Sequence, residues 1–295
     1  MDIVIAYRKN WQNRHLPLDV FKRLIPAFAR TDLVYLQGWG EPFLHPDFFA
    51  MLQLAKKAGC RLVGEGLDVI GFSLAGIDDK NDVIRKGTSI QKTLACMDAF
   101  QRAKIKYGAE NPRLHIAYML LRGSLPDLER LPEFLANTGA DQTVISSLSL
   151  AVSWDLDDES GLVSASDDFA ELKQRLLEVK DAAAKRGAEV HFHIVAPQAA
   201  DFKCSENVAR AVVVGSDGRI SPCVFTNMPA REDNYFCFRG QKQGQQNLSF
   251  GNIQTEGLNI IWHRKGYKEF VHAHNRGWVP AGCRNCCKGF ARELE

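Results

Sequence analysis

Nowhere does this 295-residue chain string together the roughly 18 apolar residues that a membrane-crossing helix requires, so a membrane-spanning role is not expected. It also lacks an excess of either charge. Against 37 lysines and arginines stand 35 aspartates and glutamates, a formal net charge of +2. There is then no bulk electrostatic pull toward nucleic acid or anionic lipid, and the expected partner is a small molecule, a peptide or another protein. The opening "MDIVIAYRKNWQNRH" has no basic region followed by an apolar run, which places the protein in the cytoplasm by expectation. No internal repeat or low-complexity tract is evident. Cysteine is nearly missing from the first two hundred residues, where only Cys60 and Cys96 occur.

What is present is an ordinary globular composition, 45% hydrophobic and 24% charged, long enough for one large domain or one domain with a smaller companion. The remaining cysteines crowd toward one end, as Cys204, Cys223, Cys237, Cys283, Cys286 and Cys287. Cytoplasmic thiols are kept reduced, so this crowding favours metal binding over disulfides. Two cysteines in a C-x-x-C spacing grip one centre from a single loop, and a four-ligand site needs two more.

The first part alternates helical and strand patterns. "PLDVFKRLIPAFA" reads as a helix opened by Pro17, "DLVYLQG" as a short buried strand, and "DFFAMLQLAKKAG" as a helix closed by Gly59. Then follow the strand "LDVIGFSLAG", the helix "SIQKTLACMDAFQRAKIKYG", the strand "RLHIAYMLL", the helix "DLERLPEFLANTG" and the strand "DQTVISSLSL". "SWDLDDESGLVSASDD" reads as a loop, and a helix over 167–186 with the strand "AEVHFHIV" completes the series. Repeated β then α implies a parallel sheet carrying helices. One join is anomalous: only "CRLVGEG" separates a helix from the next strand, whereas a parallel crossover needs about a dozen residues.

The second part has short elements and many glycines. "RAVVVGSDGRISPCVF" holds two apolar runs joined through Asp217-Gly218, a strong hairpin signal because glycine accepts positive φ without steric cost. The hairpin brings Cys204 and Cys223 together, as natural partners for Cys283 and Cys286, with Cys287 able to replace Cys286. Four thiolates suit either an iron-sulfur cluster or structural zinc. His191 and His193 share one strand face and read as a polar face or a metal pair, whereas His272 and His274, two apart on a helix, read as solvated. Cys60, Cys96 and Cys237 read as small buried hydrophobes.

The order Cys204, Gly218-R-I-S-P-Cys223 and Cys283-R-N-Cys286 resembles the C-terminal SPASM or shorter Twitch domain of the radical S-adenosylmethionine (radical SAM) superfamily. That resemblance implies one auxiliary [4Fe-4S] cluster on Cys204, Cys223, Cys283 and Cys286. "LQGWGEPFLHPDF" is similar to the same superfamily's turn for the methionine end of S-adenosylmethionine, and implies that Gly38, Gly40, Glu41 and Pro42 hold the amino group. Ser73 would by the same resemblance meet the ribose. The fold implied is α/β: a partial (β/α)6 TIM-like barrel over residues 1–195, abbreviated at the N-terminus and near residues 60–66, plus a small cysteine-rich C-terminal domain over 196–295.

In an intact relative the implied chemistry is reductive cleavage of the cofactor and hydrogen abstraction from substrate, by a radical-based oxidoreductase or a maturase that modifies a peptide or cofactor. The defining C-x-x-x-C-x-x-C loop is absent from these residues, and so is the family's Thr-Asn-Gly strand. No catalytic residue is assigned. Two further readings follow: a degenerate relative serving as an iron-sulfur electron-transfer or binding protein, with a redox partner protein, and a zinc-stabilised interaction module.

Overall fold

A computed structural model describes residues 11–32, 34–36, 39, 44–58, 69–162, 166–195, 204, 206–230, 234–238, 240–284, 286 and 293–294. The chain divides into two compact units, Gly66–Asp201 with Phe290–Glu295, and Met1–Glu65 with Phe202–Gly289. Within the described residues no helix is long and apolar enough to cross a membrane.

The first of these units is built on four parallel strands, β1 (Val69–Leu74), β2 (Arg113–Leu120), β3 (Gln142–Ser147) and β4 (Glu189–Val195), in spatial order β1-β2-β3-β4. Glu293–Leu294 adds an antiparallel edge to β4. Period-2 patterning sorts the side chains. Leu114, Ile116, Tyr118 and Leu120 of β2, Ile145 of β3, and Val190, Phe192 and Ile194 of β4 pack in one core with Ile90, Met97, Leu131, Leu135, Leu172 and Leu176 from the helices. The alternate row leaves Val69, Gly71 and Ser73 of β1, Ala117 of β2 and His193 of β4 exposed. Among the described residues the apolar core packs on one face of the sheet.

The helices begin and end where their sequences dictate. Helix Ile90–Tyr107 is capped by Ser89, whose hydroxyl accepts from the Lys92 amide, and stops at Gly108 in the left-handed region at φ 59°. Helix Leu131–Thr138 has Pro132 in its first turn and ends at Gly139, φ 66°. At the C-terminal ends of β1 and β2 the carboxylate of Asp127 is wholly buried. It accepts from Tyr118 Oη at 3.0 Å and Arg130 at 3.2 Å, with Lys80 Nζ at 3.6 Å. Burial, then the charge of Asp127, raises the Tyr118 pKa well above its usual range, so its hydroxyl stays a donor.

The described strands form a four-stranded parallel sheet, in keeping with the α/β class expected. Several other expectations are corrected. The segment expected as one helix after Pro17 is two, Leu18–Lys22 and Ile25–Phe28, because Pro26 lacks the amide to continue the ladder and instead starts the second. Val34, Tyr35 and Leu36 are not in a strand, and Tyr35 is exposed. The acidic stretch taken for a loop contains helix Trp154–Ser160, whose Ser153 hydroxyl accepts from the Leu156 amide while Asp155 and Asp157 sit in the first turn, complementing the helix dipole. Cys96 is exposed, not buried, on the outer flank of helix Ile90–Tyr107. Cys237 is buried as expected. Cys60 and the short join after it lie outside the described residues.

The other unit gathers short strands into two small sheets among the described residues. Strands β5 (Val213–Val214) and β6 (Arg219–Ser221) form the expected hairpin, β9 (Gly251–Asn252) pairs with β6, and β7 (Asn234–Phe238) with β8 (Gln241–Gln245) makes a separate antiparallel pair. Val20, Phe21, Leu24, Phe28, Met51 and Ala55 from the N-terminal helices share a core with Ile220, Ile253 and Ile261.

Candidate metal centre

The hairpin turn delivers the first pair of cysteines. Gly218 adopts φ 78°, its amide donates to Gly215 O at 2.8 Å, and β6 then runs directly to Cys223. Cys223 precedes the 3-10 turn Val224–Thr226, and its Sγ lies 3.4 Å from Thr226 Oγ1. This turn is clamped from several sides. The Asn227 amide donates to Ser221 Oγ at 2.8 Å, and Met228 and Asn247 exchange two hydrogen bonds in the manner of paired strands. Trp39 also holds it, donating from Nε1 to Val224 O at 3.2 Å and Asn227 O at 3.1 Å, with its ring edge-on to Phe225. Trp39 is the second residue of "GWGEP", and this tryptophan is anchored to the loop carrying Cys223.

The second pair comes from one tight loop. The 3-10 turn Ala281–Cys283 follows Pro280, whose carbonyl accepts from the Cys283 amide at 2.9 Å. The Cys286 amide then donates to Cys283 O at 3.1 Å, closing the C-x-x-C. Cys223, Cys283 and Cys286 are buried and Cys204 is half-buried. Cys223 and Cys283 share a small apolar cluster with Val208, Tyr267 and Phe270.

Electrostatics shows that the four thiols are mutual neighbours. Cys204 is pushed up to about 12, by burial first and then by Cys223 and Cys286, against a backbone hydrogen bond from Glu206. Cys223 is raised by burial and then by Cys286. Cys283 is pushed up to about 12, by burial and by Cys286, Cys223 and Cys204 in turn. Every pairing among the four is represented. Burial and mutual repulsion both oppose ionisation of Cys204, Cys223 and Cys283 in the bare protein. Among the described residues no three His, Cys, Asp or Glu side chains are already spaced to clasp a single metal ion. The donor set nonetheless fits an iron-sulfur cluster in kind: four thiols from three chain segments, walled by apolar side chains, with the Glu206 carboxylate near enough to act on Cys204 and Cys223.

One residue was misread from sequence. His272 is exposed as expected, but His274 is half-buried, with Nε2 3.9 Å from Cys283 Sγ and its pKa lowered by burial. The i, i+3, i+4, i+7 stripe Tyr267, Phe270, Val271 and His274 was the signal that could have found it. His191 Nε2 donates to Glu189 Oε1 at 2.9 Å on a half-exposed strand face, and His193 is exposed. Ser73 is exposed near the C-terminal end of β1, opposite Ala117. Gly38, Gly40, Glu41, Pro42 and Cys287 lie outside the described residues.

Residues 204–287 match the SPASM family, an iron-sulfur cluster-binding domain, a match that opens on Cys204 and closes on Cys287. The cysteine-rich part of the chain is a SPASM-type domain. Over 312 aligned residues the chain is also 22% identical to the tungsten-containing aldehyde ferredoxin oxidoreductase cofactor-modifying protein of Pyrococcus furiosus, covering 96% of this chain and 82% of the relative. The SPASM match thus spans both cysteine pairs, together with the helix that carries His274.

Proposed function

We propose that this protein is a radical SAM/SPASM-type iron-sulfur protein that serves the modification of a cofactor or peptide, with one [4Fe-4S] cluster held by Cys204, Cys223, Cys283 and Cys286. The observation that carries this reading is the convergence of four buried or half-buried thiols, each within electrostatic reach of the other three, inside a segment that matches an iron-sulfur cluster-binding domain. The cofactor-modifying relative supports the direction of the function. A cluster at this site supplies one-electron transfer in a setting shielded from water. The chain's own residues supply the shield: Val208, Tyr267 and Phe270 wall the thiols, and the clamped turn after Cys223 fixes that ligand's backbone.

In the same reading Gly38, Gly40, Glu41 and Pro42, with Ser73, form a seat for S-adenosylmethionine in a partial barrel, and the protein works in the cytoplasm on a small-molecule or peptide substrate or with a redox partner.

Anaerobic reconstitution followed by iron and zinc analysis tests the proposal. About four irons per chain are expected, since one full set of thiolates is visible. Replacing Cys204, Cys223 or Cys283 by alanine should abolish iron retention, and Cys237→Ala should leave it unchanged. Stoichiometric zinc without iron would overturn the cluster in favour of a zinc-stabilised module.

A further inference from the structure

We infer that His274 donates a hydrogen bond from Nε2 to the Cys283 sulfur in the cluster-loaded protein and thereby raises the cluster's reduction potential. The inference rests on the cluster proposed above and adds a residue that neither cysteine spacing nor the family match assigns. Its basis is geometric. His274 Nε2 stands 3.9 Å from Cys283 Sγ, a separation that a large, diffuse sulfur acceptor sustains.

The imidazole is held there by packing on its own helix, Lys265–Asn275. The Phe270 ring lies 5.0 Å from the His274 ring, and Phe250 in turn packs on Phe270 at 5.4 Å and stacks on Tyr267 at 4.5 Å. An aromatic column thus fixes the ring on the side of the helix that faces the thiols. The backbone completes the arrangement. Gly277, at φ 71°, reverses the chain after the helix, and its amide donates to His274 O at 3.0 Å. Trp278 to Pro280 then lead back to the turn that places Cys283 beside the histidine.

The chemistry follows from charge. Reduction adds an electron to a centre whose negative charge is shared with the ligand sulfurs. A donor on one of those sulfurs stabilises the reduced state more than the oxidised state, and outer hydrogen bonds of this kind set potentials in iron-sulfur proteins. His274 is then a positioning and tuning residue, distinct from the four ligands.

The test uses the full chain, reconstituted anaerobically, with His274→Phe to fill the volume without a donor and His274→Gln to restore an N–H. Potentiometric titration followed by electron paramagnetic resonance should show that His274→Phe keeps its iron while its midpoint potential moves to a more negative value, and that His274→Gln recovers part of the shift. Wild-type protein labelled with 15N-histidine should give a weak nitrogen coupling to the reduced cluster. An unchanged midpoint in His274→Phe, or the absence of any nitrogen coupling, would overturn the inference. A strong coupling of a directly bonded nitrogen would overturn it as well, by making His274 a ligand. If His274→Phe cannot hold iron, the coupling in wild type and the midpoint of His274→Gln decide in the same terms. Zinc without iron in wild type would instead remove the cluster reading itself, a result distinct from any of these.

Discussion

At the scale of single residues, His115 and Gly218 show how local environment becomes a measurable property. His115 sits half-buried on β2 with Nδ1 3.2 Å from Gln142 Oε1. Burial lowers its pKa, the Gln142 hydrogen bond works against that, and Arg113 and His191 lower it further. The folded pKa therefore lies below that of the unfolded chain, about 6.5. As pH falls through that value the unfolded chain takes up the proton first, so stability is full above it and declines on acidification until the folded imidazole is protonated too. Denaturant unfolding at pH 7.5 and pH 5.5 should show this loss, and His115→Gln should make the difference smaller. An unaltered difference in the variant would assign the effect elsewhere. Gly218 is constrained differently. A Cβ there would stand 2.7 Å from Asn252 Oδ1, whose side-chain nitrogen binds Asp217 O, and the backbone lies at φ 78°. Gly218→Ala should lower stability by about 1–3 kcal/mol and weaken iron retention, since β6 carries the strain straight to Cys223. Stability equal to wild type in a denaturant titration would contradict this.

At the scale of elements, the sheet owes its C-terminal edge to one buried carboxylate. Asp127 joins Tyr118 of β2, Arg130 at the start of the next helix, and Lys80 in the crossover after β1. Asp127→Ala leaves the wholly buried Tyr118 hydroxyl without its acceptor and should cost about 1.5–3 kcal/mol, read as a lower denaturant midpoint with an unchanged slope. The elements themselves were largely legible. β1 to β4 announce themselves by alternation, and helix Ile90–Tyr107 by Ser89 and Gly108. Helix Trp154–Ser160 was hidden because its acidic composition reads as a solvated loop, although Ser153 is a proper cap. The cysteines were legible because ligand spacing is local and the hairpin is coded by Asp217-Gly218. The tie from Trp39 to Val224 and Asn227 was not, because it joins residues far apart in sequence, and no local pattern encodes such a contact. His274 was missed for a related reason: comparing it only with His272 ignored the apolar stripe of its own helix.

At the scale of the whole molecule, thiol supply divides the chemistry the chain can perform. Reductive cleavage of S-adenosylmethionine requires an iron with an open coordination position, hence a cluster held by three thiolates and not four. In the proposed cluster the four thiols Cys204, Cys223, Cys283 and Cys286 would make one complete set, which would pass electrons and leave no vacant position. Before Cys204 the chain has Cys60 and Cys96 alone, and Cys96 is exposed on helix Ile90–Tyr107. Two cysteines cannot replace three. The 295-residue protein, reconstituted and reduced with dithionite, should accordingly form no 5′-deoxyadenosine from S-adenosylmethionine beyond that of a Cys204→Ala control, even while it holds its iron and exchanges electrons. Chromatographic detection of 5′-deoxyadenosine above that control would show that one of Cys204, Cys223, Cys283 and Cys286 does not ligate, leaving an open iron in the C-terminal site, and would turn the proposed electron carrier into the catalytic centre.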